Sequence, residues 1–197
     1  MNSEFSQRSV GAAATVAAKT ERDPTRASWH EQLRDGTRVL IRPIAANDVE
    51  IEQRFVERLS PQSRRFRFLG EINLSKQMLR RLTQPDPARE VAFVALIADG
   101  AQKTEIGVAR YCTNADGTEC ECAVAVSDEW HNKGLGSLLM RHLIEVARWH
   151  GVQRMYSIDA PDNTAMRDLA EFLGFKRATD PDDPHQVIHA LDLQSGA

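Results

Sequence analysis

One junction constrains this chain more than any other segment, because the period of its apolar residues changes there. Before it, residues 91–97, 105–112 and 120–126 are apolar or alternating runs, separated by the turn residues Asp99-Gly100 and Asn114 to Gly117. That pattern predicts a three-strand meander. After it, Leu135, Leu138, Leu139, Leu143, Ile144 and Ala147 recur at helical spacing, and Gly151 is placed to end the helix. The changeover falls in Trp130-His131-Asn132-Lys133-Gly134-Leu135-Gly136-Ser137, so two glycines open the helix.

The flanking sequence fills in the rest. Residues 37–42 alternate as a strand stopped by Pro43, Asn47 or Asp48 can cap a helix to Leu59, and another helix is predicted over 75–82. Downstream come a short strand at 155–159, a helix opened by Pro161-Asp162-Asn163 and ended by Gly174, and a final strand at 186–193. A mixed sheet flanked by helices is the natural packing of this order. Residues 1–35 lack apolar anchors and are expected to be a flexible tail; residues 36–197 are expected to form a single domain.

Charge and cysteine usage exclude several classes. With 25 Lys plus Arg against 28 Asp plus Glu, no basic excess points to nucleic acid or an anionic membrane. The basic run Arg64-Arg65-Phe66-Arg67-Phe68 is expected to be a solvated helix face with core aromatics. Cys112, Cys120 and Cys122 are too few and too oddly spaced for a disulfide framework or a four-ligand metal site, so no metal is expected. No apolar run approaches the roughly 20 residues of a membrane span. The alanine-rich stretch 10–18 makes a feeble signal segment after Glu4, which leaves a cytoplasmic location as the expectation.

The junction itself is chemically informative. The first amides of a helix have no intrahelical partner, and the helix dipole adds roughly half a positive charge, so phosphate oxygens can accept several hydrogen bonds there. Gly134 and Gly136 allow close backbone approach, and Lys133 can add a charge. The dinucleotide fingerprint is not met, because a third glycine is missing and the segment follows a meander. A P-loop fails for want of Gly-Lys-Ser/Thr. Spacing alone leaves two roles open: a phosphate site, or a tight helix start.

Residues 131–137 resemble the acetyl-CoA motif of GNAT acetyltransferases, Q/R-x-x-G-x-G/A, with His131 where Gln or Arg is usual. Residues 163–175, Asn-Thr-Ala-Met-Arg-Asp-Leu-Ala-Glu-Phe-Leu-Gly-Phe, are similar to that family's N-x-x-A-x-x-L-Y-x-x-x-G-F. Segments 41–43, 59–64, 106–111 and 121–126 look like the bacterial branch that includes protein-lysine acetyltransferases, and the likeness spans about 37–193. The resemblance implies an α/β (α+β) fold: a mixed, mostly antiparallel sheet with a splayed central strand pair, flanked by helices. It implies acetyl-CoA as cosubstrate. Val124, Ala125 and Val126 would hold the pantetheine arm, with Asn163 hydrogen-bonding near it. His131, Asn132, Lys133, Gly134, Leu135, Gly136 and Ser137 would grip the pyrophosphate. On its residue type alone, Asn163 fits a helix N-cap equally well.

The acceptor implied is an amine, with a protein lysine as the specific expectation. A lysine of reference pKa about 10.4 is over 99% charged at pH 7, and neutralising it costs about 4.6 kcal/mol. A base is therefore valuable. Glu121 is the candidate: it precedes the junction on its strand, and the matching Glu of the resembled branch is a proposed general base. Alternation puts it on the face of Ala123 and Ala125, opposite Cys120, Cys122, Val124 and Val126. The family's tyrosine general acid is replaced by Ala170, so either the thiolate leaves unaided or Tyr156 or Ser157 assists. A small amine, a peptide α-amino group, or noncatalytic acyl-CoA sensing are the alternatives. Oligomeric state is left open, a homodimer included.

Overall fold

The three runs of the meander pair side by side as β3 (Glu90–Asp99), β4 (Gln102–Thr113) and β5 (Glu119–Val126). They belong to a computed structural model that describes residues 23–70, 74–99 and 102–194. Two strands, β1 (Trp29–Gln32) and β2 (Arg38–Pro43), extend the sheet on one side. On the other lie β6 (Arg154–Asp159), β7 (Lys176–Thr179) and β8 (Val187–Asp192), giving the order β1-β2-β3-β4-β5-β6-β8-β7. Every neighbouring pair is antiparallel except β5 and β6, which run parallel. The mixed, mostly antiparallel sheet is therefore as expected.

Period-two alternation divides the core between the sheet's two faces. On one face, Leu135, Leu139, Met140, Leu143 and Ala147 of helix α4 (Leu135–Trp149) pack with Ile41, Phe93, Ala95 and Ala109. On the other, Phe55, Val56 and Leu59 from α1 (Val49–Arg58) and its C-cap pack on Ala92, Val94, Leu96 and Val108. Full burial of each large side chain contributes about 1.5–3 kcal/mol. Gly107 lets α4 press close: a Cβ there would lie 3.1 Å from Leu139 Cδ1 and 3.2 Å from the Ala125 carbonyl oxygen. Three shorter helices complete the described fold: α2 (Pro61–Phe68), α3 (Lys76–Thr83) and α5 (Thr164–Phe172).

The structure departs from the sequence expectations in three places. The tail expected over 1–35 is overtaken by β1, which pairs with β2 from Trp29 onward; residues 1–22 of that expectation lie outside the described residues. Tertiary contacts make this strand, since Trp29 stacks on His142 at 4.1 Å between ring centroids and meets Phe93 edge-on at 5.1 Å. Leu33, just beyond, is buried. Strand β7 is an additional, short element, and all four of its residues are exposed, so no apolar period announces it; the helix expected at the basic run 64–68 forms as α2 from Pro61. Asp48 stands at the start of α1, yet its carboxylate holds Arg42 (2.6 and 2.7 Å) instead of capping the helix. Among the described residues, no helix is long and apolar enough to cross a membrane.

Candidate active site

The sheet opens where its parallel pair parts. Strands β5 and β6 are in register only from Glu119↔Arg154 to Glu121↔Tyr156. Beyond that, β5 stays paired to β4 as far as Val126, while β6 stays paired to β8 as far as Asp159. Alternate N–H and C=O groups along 122–126 thus face the gap without ladder partners, as an extended ligand would need them. The gap leads into a cavity of about 800 Å³, a volume in the range of small-molecule sites. The splayed pair expected from the resemblance is present.

The helix start forms one end of this cavity. Asn132 (φ 62°) and Gly134 (φ 88°) both turn through the left-handed region, after which α4 begins at Leu135 without a side-chain cap. The first amides of α4 are left free to bind an anion. Leu138 makes the first return bond, its N–H donating to the Gly134 carbonyl at 3.1 Å. His131 adopts an extended conformation, and its Nε2–H donates to the Val126 carbonyl at 3.0 Å, tying the turn to the end of β5.

Most residues singled out from the sequence converge here. Glu121, Val124, Ala125, Val126, His131, Asn132, Gly134, Leu135, Gly136, Ser137 and Asn163 all line the large cavity. Lys133 does not: its ammonium lies 3.0 Å from Asp35 and 4.3 Å from the Trp130 ring centroid. Asn163 does cap α5, accepting from the Met166 N–H at 3.1 Å, and lines the cavity as well. Sequence reasoning missed two contributions. Phe66, Arg67 and Phe68 of α2 are cavity walls where a solvated face was expected, although Phe68 also packs against the core as expected, and Arg34 reaches the site from the supposed tail. The Ser60-Pro61 helix start was the available signal for α2.

Glu121 sits at the apex of the splay and lines a second, smaller cavity of about 190 Å³. Val91, Ala92, Ala123 and Cys112 give that cavity apolar walls, and Glu90, Arg67 and Arg110 add charge. Burial pushes the Arg67 guanidinium down to about 10, with Arg110 adding to the effect, so it remains a cation at neutral pH. Cys112 is the cross-strand partner of Glu121, and burial with Glu90 raises its thiol. Cys120 and Cys122 point into the core beneath α4, and burial pushes Cys120 up to about 12. Both are packing residues, and among the described residues no cluster of three His, Cys, Asp or Glu could hold a metal.

Neither suggested substitute for the missing tyrosine acid lines the large cavity. Ser157 is buried, its hydroxyl donating at 2.6 Å to Asp159, which also accepts from His189 Nδ1 at 2.9 Å. Tyr156 stands beside Glu121 in register, and its phenol is raised by burial and by the Glu121 and Glu119 charges. Ala170 is enclosed in the core.

A sheet pried open beside a glycine-lipped helix start, with a carboxylate at the apex, is the architecture of an acyl-group transferase. The family model described as acetyltransferase (GNAT) family matches residues 62–175. The chain is 48% identical over 166 residues to acetyltransferase PA5475 of Pseudomonas aeruginosa, across 84% of this chain and 89% of that protein. It is 32% identical over 144 residues to acetyltransferase Pat of Mycolicibacterium smegmatis, spanning 73% of this chain but only 43% of that protein. The solved GNAT domain of S. lividans PAT superposes with a TM-score of 0.75 at 28% identity, covering 84% of this chain and 96% of that domain. The chain belongs to the GNAT family and is an acetyltransferase.

Proposed function

We propose that this enzyme transfers the acetyl group of acetyl-CoA to a protein lysine side chain, by direct attack in a ternary complex. The observation that carries it is the position of Glu121, which lines both cavities at the point where β5 and β6 separate. The residues present suit the donor. Free amides from Leu135 to Ser137 suit the pyrophosphate, and the edge from Val124 through Ala125 to Val126, left by β6 and engaged there by His131 at the Val126 carbonyl, suits the amides of the pantetheine arm. Gly136 keeps the cradle open, since a Cβ there would approach Leu169 Cδ2 to 3.3 Å.

The smaller cavity suits the acceptor. At about 190 Å³ it falls below ordinary small-molecule sites but has room for one extended side chain. Its apolar walls match a lysine's methylene stem, and Glu90 and Glu121 match the ammonium head. The likeness to acetyltransferase Pat supports acetyl transfer as the reaction. Glu121 takes a proton from the ammonium, directly or through one water; the freed lone pair attacks the thioester carbon; as the C–S bond breaks, the nitrogen's surplus proton passes to solvent or to the departing sulfur, giving amide and free CoA, and Glu121 returns its proton to solvent. A thiolate near pKa 8.5 is a good leaving group, which lets the site dispense with the tyrosine absent at Ala170.

Acetyl-CoA turnover against proteins, peptides and small amines, with the modified atom located by mass spectrometry, tests this reading. Acetyl-lysine in a protein supports it; products confined to α-amino groups or small amines overturn the acceptor class, and CoA binding without turnover overturns the enzymatic step. Glu121→Gln is expected to lower kcat/KM by about a hundredfold or more, leaving CoA affinity intact. An unchanged pH–rate profile would remove Glu121 from the role of base.

A further inference from the structure

We infer that Arg34 is a pyrophosphate-binding residue, delivered to the donor site by the turn between β1 and β2. This rests on the reading that the large cavity receives CoA. The turn is tightly made. The Leu33 N–H donates to the Thr37 carbonyl and the Gly36 N–H to the Leu33 carbonyl, both at 2.9 Å, and Gly36 takes φ 88°. It is also docked on the glycine turn at two points. The Arg34 N–H donates to the Lys133 carbonyl at 3.1 Å, and the Asp35 carboxylate meets the Lys133 ammonium at 3.0 Å.

This double clamp exchanges the roles that the sequence suggested. Lys133, the cation beside the glycines in sequence, is spent on Asp35 and on the Trp130 ring. Arg34 takes its place beside them in space: its Nε, Cγ and Cδ lie 3.5, 3.6 and 3.8 Å from where a Gly134 Cβ would sit. The side chain is exposed and lines the large cavity. A guanidinium there presents a planar fork of N–H donors, matched to two phosphate oxygens, to a diphosphate already held by helix amides. Gly134 is needed twice over, because a side chain would occupy the space that Arg34 uses.

The test is calorimetry of wild type, Arg34→Ala and Arg34→Lys with CoA and with dephospho-CoA, which retains the pyrophosphate but lacks the 3′-phosphate. Arg34→Ala is expected to weaken both ligands about ten- to a hundredfold, the span of charge-assisted hydrogen bonds, and Arg34→Lys to lose less. Turnover of acetyl-pantetheine, which carries no phosphate, is expected to be the same in all three proteins. Equal affinity of wild type and Arg34→Ala for CoA would overturn the assignment while leaving the donor site standing. A penalty that vanishes with dephospho-CoA would move the contact to the 3′-phosphate and likewise overturn it. A wild type that fails to bind CoA would overturn this inference and the donor reading together.

Discussion

Gly134 and Gly136 are glycines for different reasons, and only the atoms around them show it. Gly134 has φ 88°, where an L-residue costs about 1–2 kcal/mol. Gly136 is helical, and its missing Cβ clears Leu169 Cδ2 at 3.3 Å and Val126 Cγ2 at 3.9 Å. Gly134→Ala is therefore expected to lower stability by about that strain in urea unfolding. Gly136→Ala meets the movable end of a leucine, so its larger effect should fall on CoA affinity. A Gly134→Ala protein as stable as wild type would refute the backbone argument. The glycine spacing was plain in the sequence. What spacing could not convey is that Arg34, about a hundred residues earlier, shares the space beside Gly134, or that Lys133 turns away to Asp35.

Helix α2 has only eight residues, too few to be stable alone, so its contacts across the cavity mouth decide whether it forms. Asp128, just before the glycine turn, accepts from Ser60 N–H (3.0 Å), Ser60 Oγ (2.7 Å) and Ser63 Oγ (2.8 Å), while Arg65 reaches Asp162 at 2.6 Å. Burial alone would raise the Asp128 carboxyl, but these bonds and His131 outweigh it and hold it at about 2. A depressed carboxylate contributes stability that is present above its unfolded value of 3.8 and lost as pH falls through about 2. Asp128→Asn is thus expected to flatten the pH dependence of α2 protection between about pH 4 and pH 2, followed by hydrogen exchange of residues 61–68. An unaltered profile would mean that Asp128 does not hold the helix. The same physics explains what was legible among the elements. Strands β3 to β5 and helix α4 are long and carry their own apolar period, whereas β1, α2 and β7 owe their existence to partners distant in sequence. The splay was legible only through family resemblance, because three residues of parallel pairing across a helical crossover leave no local pattern.

Across the whole molecule, the two faces of the sheet are built on opposite principles. Beneath α4 the core is almost wholly apolar, whereas beneath α1 it encloses Glu52 and Glu105, both about 1% exposed, near Arg110. Alternation in the sequence located β4 but gave no sign that its Glu105 is buried. Neither Glu105 oxygen has a donor among the described residues, and its own carbonyl accepts from Arg58 at 2.8 Å. Burial raises the Glu105 carboxyl well above its usual range, the Glu52 and Asp48 charges raise it further, and Arg110 offsets only part. The folded state therefore holds a proton here that the unfolded chain releases near 4.5, so stability falls as pH rises above that value. Glu105→Gln keeps the shape and removes the titration. It is expected to flatten the decline of Tm between pH 5 and pH 8, with its greatest advantage over wild type at the alkaline end. A parallel decline in both proteins would show that the buried carboxyl carries its charge without cost. The donor site should register little of this exchange, because Glu105 does not line the large cavity. Equal CoA affinity in the two proteins would separate the cost of the charged core from the work of the cavity above it.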